Sequence, residues 1–241
     1  MRILSIKSYS FSKKPRNVRE IKFLIIHYTG MQSMRASIKR LISTQHQVSC
    51  HYLIGRKGQV FQMVKDNRVA WHAGKSKWGK LENLNDKSIG IELVNKGHKF
   101  GYQKFSRKQI SALVKLCTQL KRKYKIKNRF ILGHSDIAPL RKSDPGEKFP
   151  WLKLQKRKIG IWYSLSKQDS LLFKKLSKKD IRKIFFKNLY KIGYRYFNKE
   201  KPSKTDKLII KSFQRRFRQE KVNGKVDLEC FKISDNLAKN H

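Results

Sequence analysis

Short apolar runs rich in β-branched residues recur through the first 155 residues and alternate with amphipathic stretches. The apolar runs lie at 21–26, 48–54, 59–64, 88–94 and 130–132. Runs of this length predict buried strands, and the second and third are joined through glycines, as in a hairpin. Helical spacing of apolar residues marks 33–44 and 106–123. The alternation predicts an α/β (α+β) fold with a central mixed β-sheet flanked by helices.

From about residue 166 the pattern changes, and only helical periodicity remains. Helices are predicted at 168–176, 178–192 and 205–219. A chain of 241 residues is long enough for one core and a small additional domain. We therefore predict an irregular basic lead-in at 1–20, a main domain at 21–155, a connector at 152–166, and a small all-helical C-terminal domain at 166–241.

The charge balance is strongly basic, with 59 Lys and Arg against 16 Asp and Glu and a net charge of +43. The excess is spread along the chain, since 33 basic and 8 acidic residues precede residue 151 and 26 and 8 follow. Such a field attracts any polyanion without selecting among them, or it reflects a lysine-rich solvated surface. Because no nucleic-acid-binding motif accompanies the charge, we expect no specific nucleic-acid partner. Electrostatic contact with anionic envelope polymers is compatible with it.

Cysteine spacing and hydropathy exclude several classes of protein. Cys50, Cys117 and Cys230 are isolated, which predicts neither a disulfide framework nor a thiolate zinc site. No apolar run is long enough for a transmembrane segment. Residues 1–20 lack the continuous apolar region of a signal peptide, which argues for a cytoplasmic protein that is not exported by the usual route.

Two histidines occupy the same kind of position, at the exit of an apolar strand. His27 follows 21–26, and His134 follows 130–132. Adjacent strands of one sheet would bring these exits together, and Asp144 lies on a Pro- and Gly-bounded loop ten residues after His134. Histidine and aspartate are both competent zinc ligands, and three protein ligands leave a fourth position for water. A lone histidine beside an apolar run is more often a core residue, so the repeated position carries this argument.

A carboxylate and a lysine complete the candidate chemistry. Glu92 lies among apolar neighbours in 88–94, where a carboxylate is costly unless it is paired or functional. Near a metal-activated water it could accept a proton and later deliver it to a leaving amine. Lys142, two residues before Asp144, could stabilise an oxyanion formed on an amide. Asp136 has no chemical role in this scheme and is predicted to structure the loop.

Five ordered motifs carry a resemblance that covers roughly residues 20–155. They are FLIIHYT at 23–29, SCHYLI at 49–54, AWHAG at 70–74, NDKSIGIEL at 85–93 and GHSDIAP…RKSDPG at 133–146. Together they closely resemble the zinc-dependent N-acetylmuramoyl-L-alanine amidases of the amidase-2 family, which are related to peptidoglycan recognition proteins. The resemblance implies hydrolysis of the amide between N-acetylmuramic acid and L-alanine in peptidoglycan or muropeptides.

The same resemblance implies roles for individual residues. Zn²⁺ would be held by His27, His134 and Asp144, with Glu92 as general base and acid and Lys142 as the residue that stabilises the oxyanion. Trp71, His72 and Asn95 lie in motifs that line the substrate groove in relatives, and His51 and Tyr52 would support the site.

The C-terminal helices and the cellular context are less specified. Residues 166–241 are similar to the helical peptidoglycan-binding module that follows some catalytic domains of this family, which favours the cell envelope. Cytoplasmic and envelope locations therefore both stay open, as does a preference for intact or anhydro-muropeptides. We expect a monomer. The alternative function is a non-catalytic protein that binds peptidoglycan through the same groove.

Overall fold

The structure is a computed structural model that describes residues 1–165 and 177–240. Within these residues the strands are β1 (Ile3–Ser5), β2 (Phe11–Pro15), β3 (Phe23–Tyr28), β4 (Tyr52–Ile54), β5 (Val60–Gln62), β6 (Arg68–Ala70), β7 (Lys77–Trp78), β8 (Leu81–Glu82), β9 (Ser88–Leu93) and β10 (Ile131–Gly133). Six of them form one sheet in the order β1-β5-β4-β9-β3-β10. β2 pairs with β6, and β7 pairs with β8.

The helices surround this sheet. They are α1 (Met34–Ile42), α2 (Arg107–Lys123), α3 (His134–Ile137), α4 (Trp151–Gln155), α5 (Lys178–Ile192), α6 (Asp206–Phe217) and α7 (Leu228–Asn240). Ser33 and Ser106 begin α1 and α2, because each hydroxyl accepts a backbone N–H of the first turn. None of the helices in the described residues has the length and apolar character needed to cross a membrane.

Three parallel strands at one side of the six-stranded sheet position the candidate site. β3 lies between β9 and β10 and is parallel to both. The register places His27 opposite Glu92 and Ile26 opposite Gly133, so that His134 follows directly beyond its strand. The carboxyl ends of parallel strands meet at one edge of a sheet, which is where ligands bind in open α/β sheets. The mixed sheet flanked by helices confirms the predicted fold class.

The two faces of the sheet have separate cores, because successive side chains of a strand point to opposite faces. Leu24 and Ile26 face the core that includes Leu113 and Leu116 of α2. The opposite face of β3 packs against side chains from α5, α6 and α7. Its members include Phe23, Ile25, Leu132, Phe185, Phe213 and Ile233. The C-terminal helices therefore share a hydrophobic core with the central sheet.

Several local predictions need correction. The lead-in at 1–20 is not irregular, since β1 extends the main sheet beside β5 and β2 pairs with β6. These strands are three and five residues long, too short to give a periodic signal. The predicted connector begins with α4, and α7 was not predicted at all. The hairpin of β4 and β5 and the helices α1, α2, α5 and α6 are confirmed within a few residues. The helix predicted at 168–176 lies outside the described residues.

Candidate active site

Three side chains converge where β3 and β10 end. His27 Nδ1 lies 2.9 Å from His134 Nδ1, and the Asp144 Oδ2 atom lies 3.1 Å from each. All three residues are buried. Three candidate ligand atoms thus form a nearly equilateral triangle, drawn from two strand ends and a loop that folds back 117 residues after His27. The structure brings together the three residues that the sequence predicted as metal ligands.

The contacts of the Nε2 atom of His134 bear on which ring nitrogen carries the proton. His134 Nε2 lies 3.2 Å from the carbonyl oxygen of Ala73, which can only accept a hydrogen bond. The shorter of the two contacts of Nε2 is this one, since Arg141 Nη2 lies 3.4 Å away, and with the proton on Nε2 the Nδ1 atom of the neutral ring presents its lone pair to Asp144 and His27. A hydrogen bond on the far nitrogen is the usual device that fixes the tautomer of a metal-binding histidine.

A longer chain of hydrogen bonds fixes His27 in the same way. The Ser88 hydroxyl donates to the Leu84 carbonyl at 2.6 Å, so its oxygen accepts the Nε2–H of His72 at 3.1 Å. The Nδ1 atom of neutral His72 then accepts from His27 Nε2 at 3.0 Å. Burial lowers the pKa of His72 well below its usual value, which keeps this ring neutral. His27 Nδ1 is consequently left without a proton.

Three lone-pair-bearing atoms about 3 Å apart repel one another unless a cation lies among them. The set of two imidazoles and one carboxylate matches the donors that Zn²⁺ and similar divalent metals take. The chemistry of these residues therefore fits a metal ion. We conclude that the His27, His134 and Asp144 side chains form a group that can hold one.

The charges of the group agree with this conclusion. Burial and, after it, the neighbouring His134 lower the pKa of His27 to about 4, although Asp144 opposes them. Burial alone would raise the pKa of Asp144, but His134 and His27 bring it well below its usual value. At neutral pH the group therefore contains a neutral imidazole at His27 and an ionised carboxylate, the protonation states in which both bind metal.

Glu92 lies beside the group on β9. Its carboxyl is buried, and its Oε2 atom has no hydrogen-bond partner. Burial and, after it, the Asp144 charge raise the pKa of Glu92 to about 8, although Lys142 opposes them. A buried carboxyl with a free oxygen and a pKa near neutrality is suited to accept and return a proton.

Lys142 lies in the loop between His134 and Asp144 and is exposed. Its backbone N–H donates to the Ala138 carbonyl at 3.0 Å, which holds the loop against α3. The positive charge of Lys142 lowers the pKa of both His27 and Glu92. Its ammonium group therefore acts electrostatically on the space beside Glu92 while it stays free to approach a substrate.

The residues predicted to line the substrate groove lie in different places. His72 is buried behind His27, and its Nδ1 atom lies 3.0 Å from His27 Nε2. Asn95 is also buried, and its amide bonds the backbone of Gly97 and Gln103, so that it shapes a loop. Trp71 alone of the three is partly exposed. Sequence motifs locate these residues near the site but do not say which way their side chains point.

His51 and Tyr52, the two residues predicted to support the site, have different surroundings. His51 Nδ1 accepts the Gly90 N–H at 3.0 Å, and its ring stands 5.6 Å from that of His72. His51 therefore lies next to the chain of hydrogen bonds that fixes His27. The hydroxyl of Tyr52 instead donates to Asp66 at 2.8 Å, on the other face of β4. Tyr52 is a neighbour of His51 in sequence only, because successive residues of an extended chain face opposite sides.

Sequence reasoning missed Ser88 and the distant partners of Asp136. Ser88 orients His72, and its only signal was its position at the start of the strand that carries Glu92. Asp136 was predicted to structure its loop, and its Oδ2 does accept the Gly133 N–H. Its other partners are Tyr194 and Arg216 of the C-terminal helices, which no local pattern could indicate.

Comparison with known proteins identifies the group to which this site belongs. The family model described as N-acetylmuramoyl-L-alanine amidase (Amidase_2) matches residues 17–147, which include all five residues of the candidate site. The chain belongs to this amidase family. The activity class predicted from the sequence, an N-acetylmuramoyl-L-alanine amidase, is confirmed at this level.

Individual members of the family extend the similarity beyond the matched range. The N-acetylmuramoyl-L-alanine amidase AmiD of Escherichia coli K12 is 34% identical over 236 residues, which cover 92% of this chain and 83% of that protein. Its structure in complex with the substrate anhydro-N-acetylmuramic acid-L-Ala-D-γ-Glu-L-Lys has a TM-score of 0.80 at 32% identity, covering 95% and 92% of the two chains. Pseudomonas aeruginosa AmpDh3, in complex with anhydromuramic pentapeptide, has a TM-score of 0.81 at 31% identity and covers 97% of both chains.

Proposed function

We propose that the protein is a zinc-dependent amidase that hydrolyses the bond between the lactyl group of N-acetylmuramic acid and L-alanine in muropeptides. The observation that carries the proposal is the triangle of His27, His134 and Asp144 beside the unpartnered carboxyl oxygen of Glu92. Two similar amidases bound to anhydromuramyl peptides support the substrate class. When bound, Zn²⁺ would supply the Lewis acid that makes water reactive at neutral pH.

The side chains of the protein would divide the remaining work. Glu92 in its ionised form would accept a proton from the attacking water, and its raised pKa would make it a stronger base than an ordinary carboxylate. It then returns the proton to the amine of L-alanine, which leaves. Lys142 provides positive charge for the oxygen of the attacked carbonyl, where negative charge develops. His72 and Asp136 would keep the His27 and His134 side chains in place.

The proposal is tested by mass spectrometry of digestion products. The protein is incubated with intact sacculi and, separately, with anhydro-muropeptide, each with and without EDTA. Release of free stem peptides that EDTA abolishes and added Zn²⁺ restores is the expected result. Cleavage that continues unchanged in EDTA refutes zinc dependence, and the absence of cleavage from both substrates refutes the amidase assignment. The comparison of the two substrates also measures the preference for the anhydro sugar.

We also propose the division into a catalytic unit at 21–155 and a C-terminal helical unit at 166–241 that contacts peptidoglycan. Co-sedimentation of the Asp144→Ala protein with purified sacculi tests the second part, because this variant cannot degrade them. Binding that persists in moderate salt supports recognition of the wall. Binding that disappears as salt screens the +43 charge indicates electrostatic attraction alone.

A further inference from the structure

Asp136 is a buried carboxylate on the turn that carries the metal-ligand residue His134. It lies two residues after His134 and is 1% exposed. Its Oδ2 atom accepts the backbone N–H of Gly133 at 2.8 Å. Because Gly133 and Asp136 lie on either side of His134 in the chain, this hydrogen bond sets the conformation of the turn.

The other partners of Asp136 come from the C-terminal helical region. The Tyr194 hydroxyl donates to Oδ1 at 2.7 Å, and Arg216 Nη1 donates to Oδ2. Arg216 Nη2 also donates at 3.0 Å to the carbonyl of Ile131, in the strand that leads to His134. We call Asp136, Tyr194 and Arg216 the Asp136 cluster, and all three side chains are buried.

A further contact joins α6 to the same turn. The Ser212 hydroxyl donates to the carbonyl of Ser135 at 2.7 Å. The guanidinium of Arg216 lies 4.3 Å from the centre of the Trp151 ring, which limits its freedom to leave the carboxylate. Ser212 and Arg216 lie on the same face of α6. Through these two polar side chains the helix contacts residues on both sides of His134 in the chain.

The position of His134 depends on how the buried charge of Asp136 is compensated. A buried carboxylate is costly unless an opposite charge and hydrogen bonds compensate it. Among the described residues, Arg216 is the cation that forms an ion pair with Asp136. Without it, the turn would carry an uncompensated buried charge and would move towards water, taking His134 Nδ1 away from His27 and Asp144.

We propose that Arg216 and Tyr194 are positioning residues of the metal site, which act through Asp136 to hold His134 in the geometry for ligation. On this view the C-terminal helices are part of the metal-binding unit, whatever they bind besides. The inference concerns the residues that hold the turn, and only its effect on metal affinity rests on the proposed function.

The main test compares two buried arginines of the same region. Arg218 is as buried as Arg216 and pairs with Asp227 and Glu229 inside the C-terminal helices. Arg216→Met and Arg218→Met should both lower thermal stability. Only Arg216→Met should weaken Zn²⁺ binding, by about 10- to 100-fold in competition with a chelating dye, as loss of partners of metal ligands typically does. Only this variant should change the visible absorption spectrum of the Co²⁺-substituted protein.

A double variant distinguishes an effect of the uncompensated Asp136 charge from a general loss of stability. Asp136→Asn combined with Arg216→Met removes the buried charge together with its partner. Zn²⁺ should bind more tightly to this double variant than to Arg216→Met alone, because no uncompensated carboxylate remains. The single variant Asp136→Asn completes the comparison. If the loss of Zn²⁺ affinity in the double variant equals the sum of the losses in Arg216→Met and Asp136→Asn, Arg216 does not act through Asp136.

Hydrogen exchange of the metal-free protein tests the same contacts without any metal. Amides at 131–137 should exchange faster in Arg216→Met than in the wild type, whereas Arg218→Met should leave them unchanged. If the wild type binds no Zn²⁺, the proposed function fails, while this measurement still decides on the Asp136 cluster. Wild-type exchange together with wild-type Zn²⁺ affinity in folded Arg216→Met would overturn the inference.

Tyr194→Phe provides the test if Arg216→Met does not fold. It removes one hydroxyl from Asp136 and leaves the ring packed against Trp78, 4.9 Å between centres. The lost hydrogen bond should weaken Zn²⁺ binding by about threefold to tenfold and should speed exchange at 131–137. Unchanged values in both measurements would refute the proposal.

Discussion

Replacing Glu92 with glutamine should abolish amidase activity and at the same time stabilise the metal-free protein at neutral pH. Glutamine keeps the shape of the side chain but cannot accept and return a proton. In the wild type the carboxyl is buried, one of its oxygens has no partner, and burial raises its pKa to about 8. Folding therefore disfavours the ionised form of Glu92. At any pH at which the unfolded chain would ionise this carboxyl, the free energy of unfolding is lowered.

The size and sign of the effect follow from the two pKa values. In the unfolded chain Glu92 titrates near 4.5 and in the folded protein near 8. Below 4.5 both states are protonated and the cost is absent. As the pH rises towards 8, the unfolded state loses its proton while the folded state keeps it, so the wild type loses stability. The variant has no such loss, and its advantage should grow by about 3 kcal/mol between about pH 5 and about pH 7.5.

Urea unfolding of the EDTA-treated proteins across this pH range measures the difference. Glu82→Gln is the control, because Glu82 is an exposed carboxylate in an ion pair with Lys77. It should show no comparable gain. A constant offset between Glu92→Gln and the wild type at all pH values would show that the carboxyl is not held in its neutral form. Stem-peptide release by Glu92→Gln at the wild-type rate would refute its role as the base.

Three other changes probe the remaining parts of the site. Asp144→Ala should reduce bound Zn²⁺, measured by elemental analysis, from one per chain to a small fraction, because it removes one of three ligands; full occupancy would exclude Asp144 as a ligand. Lys142→Met should lower kcat by about 100- to 1,000-fold with little change in KM, whereas a raised KM with unchanged kcat would show that Lys142 acts in substrate binding. Gly90→Ala should weaken Zn²⁺ binding, since a Cβ there would lie 2.3 Å from the His72 ring; unchanged affinity would show that His72 does not position His27.

Much of the site was predictable because its signals are local. His27 and His134 each follow a short apolar strand, and parallel strands end at one edge of a sheet, so their convergence could be inferred from the chain. Glu92 was identified because a carboxylate among apolar residues is unusual, and the structure indeed buries it without a partner for one oxygen. The roles predicted for His72, Asn95 and Tyr52 were based only on the motifs in which these residues lie. Their side-chain directions depend on neighbours that the motifs do not contain.

The sequence by itself determined the mixed sheet, the candidate metal-binding residues and the family, because strand periodicity and the chemistry of histidine, aspartate and glutamate are properties of short segments. Only the tertiary structure decided how the ligands are held. Ser88 and His72 fix the proton on His27, and Arg216, 80 residues after Asp136, compensates the charge on the turn of His134. Such pairings arise when helices pack on a sheet face and bury polar groups that must then find partners. Which distant side chain becomes the partner is settled by packing geometry, which no local pattern in the chain specifies.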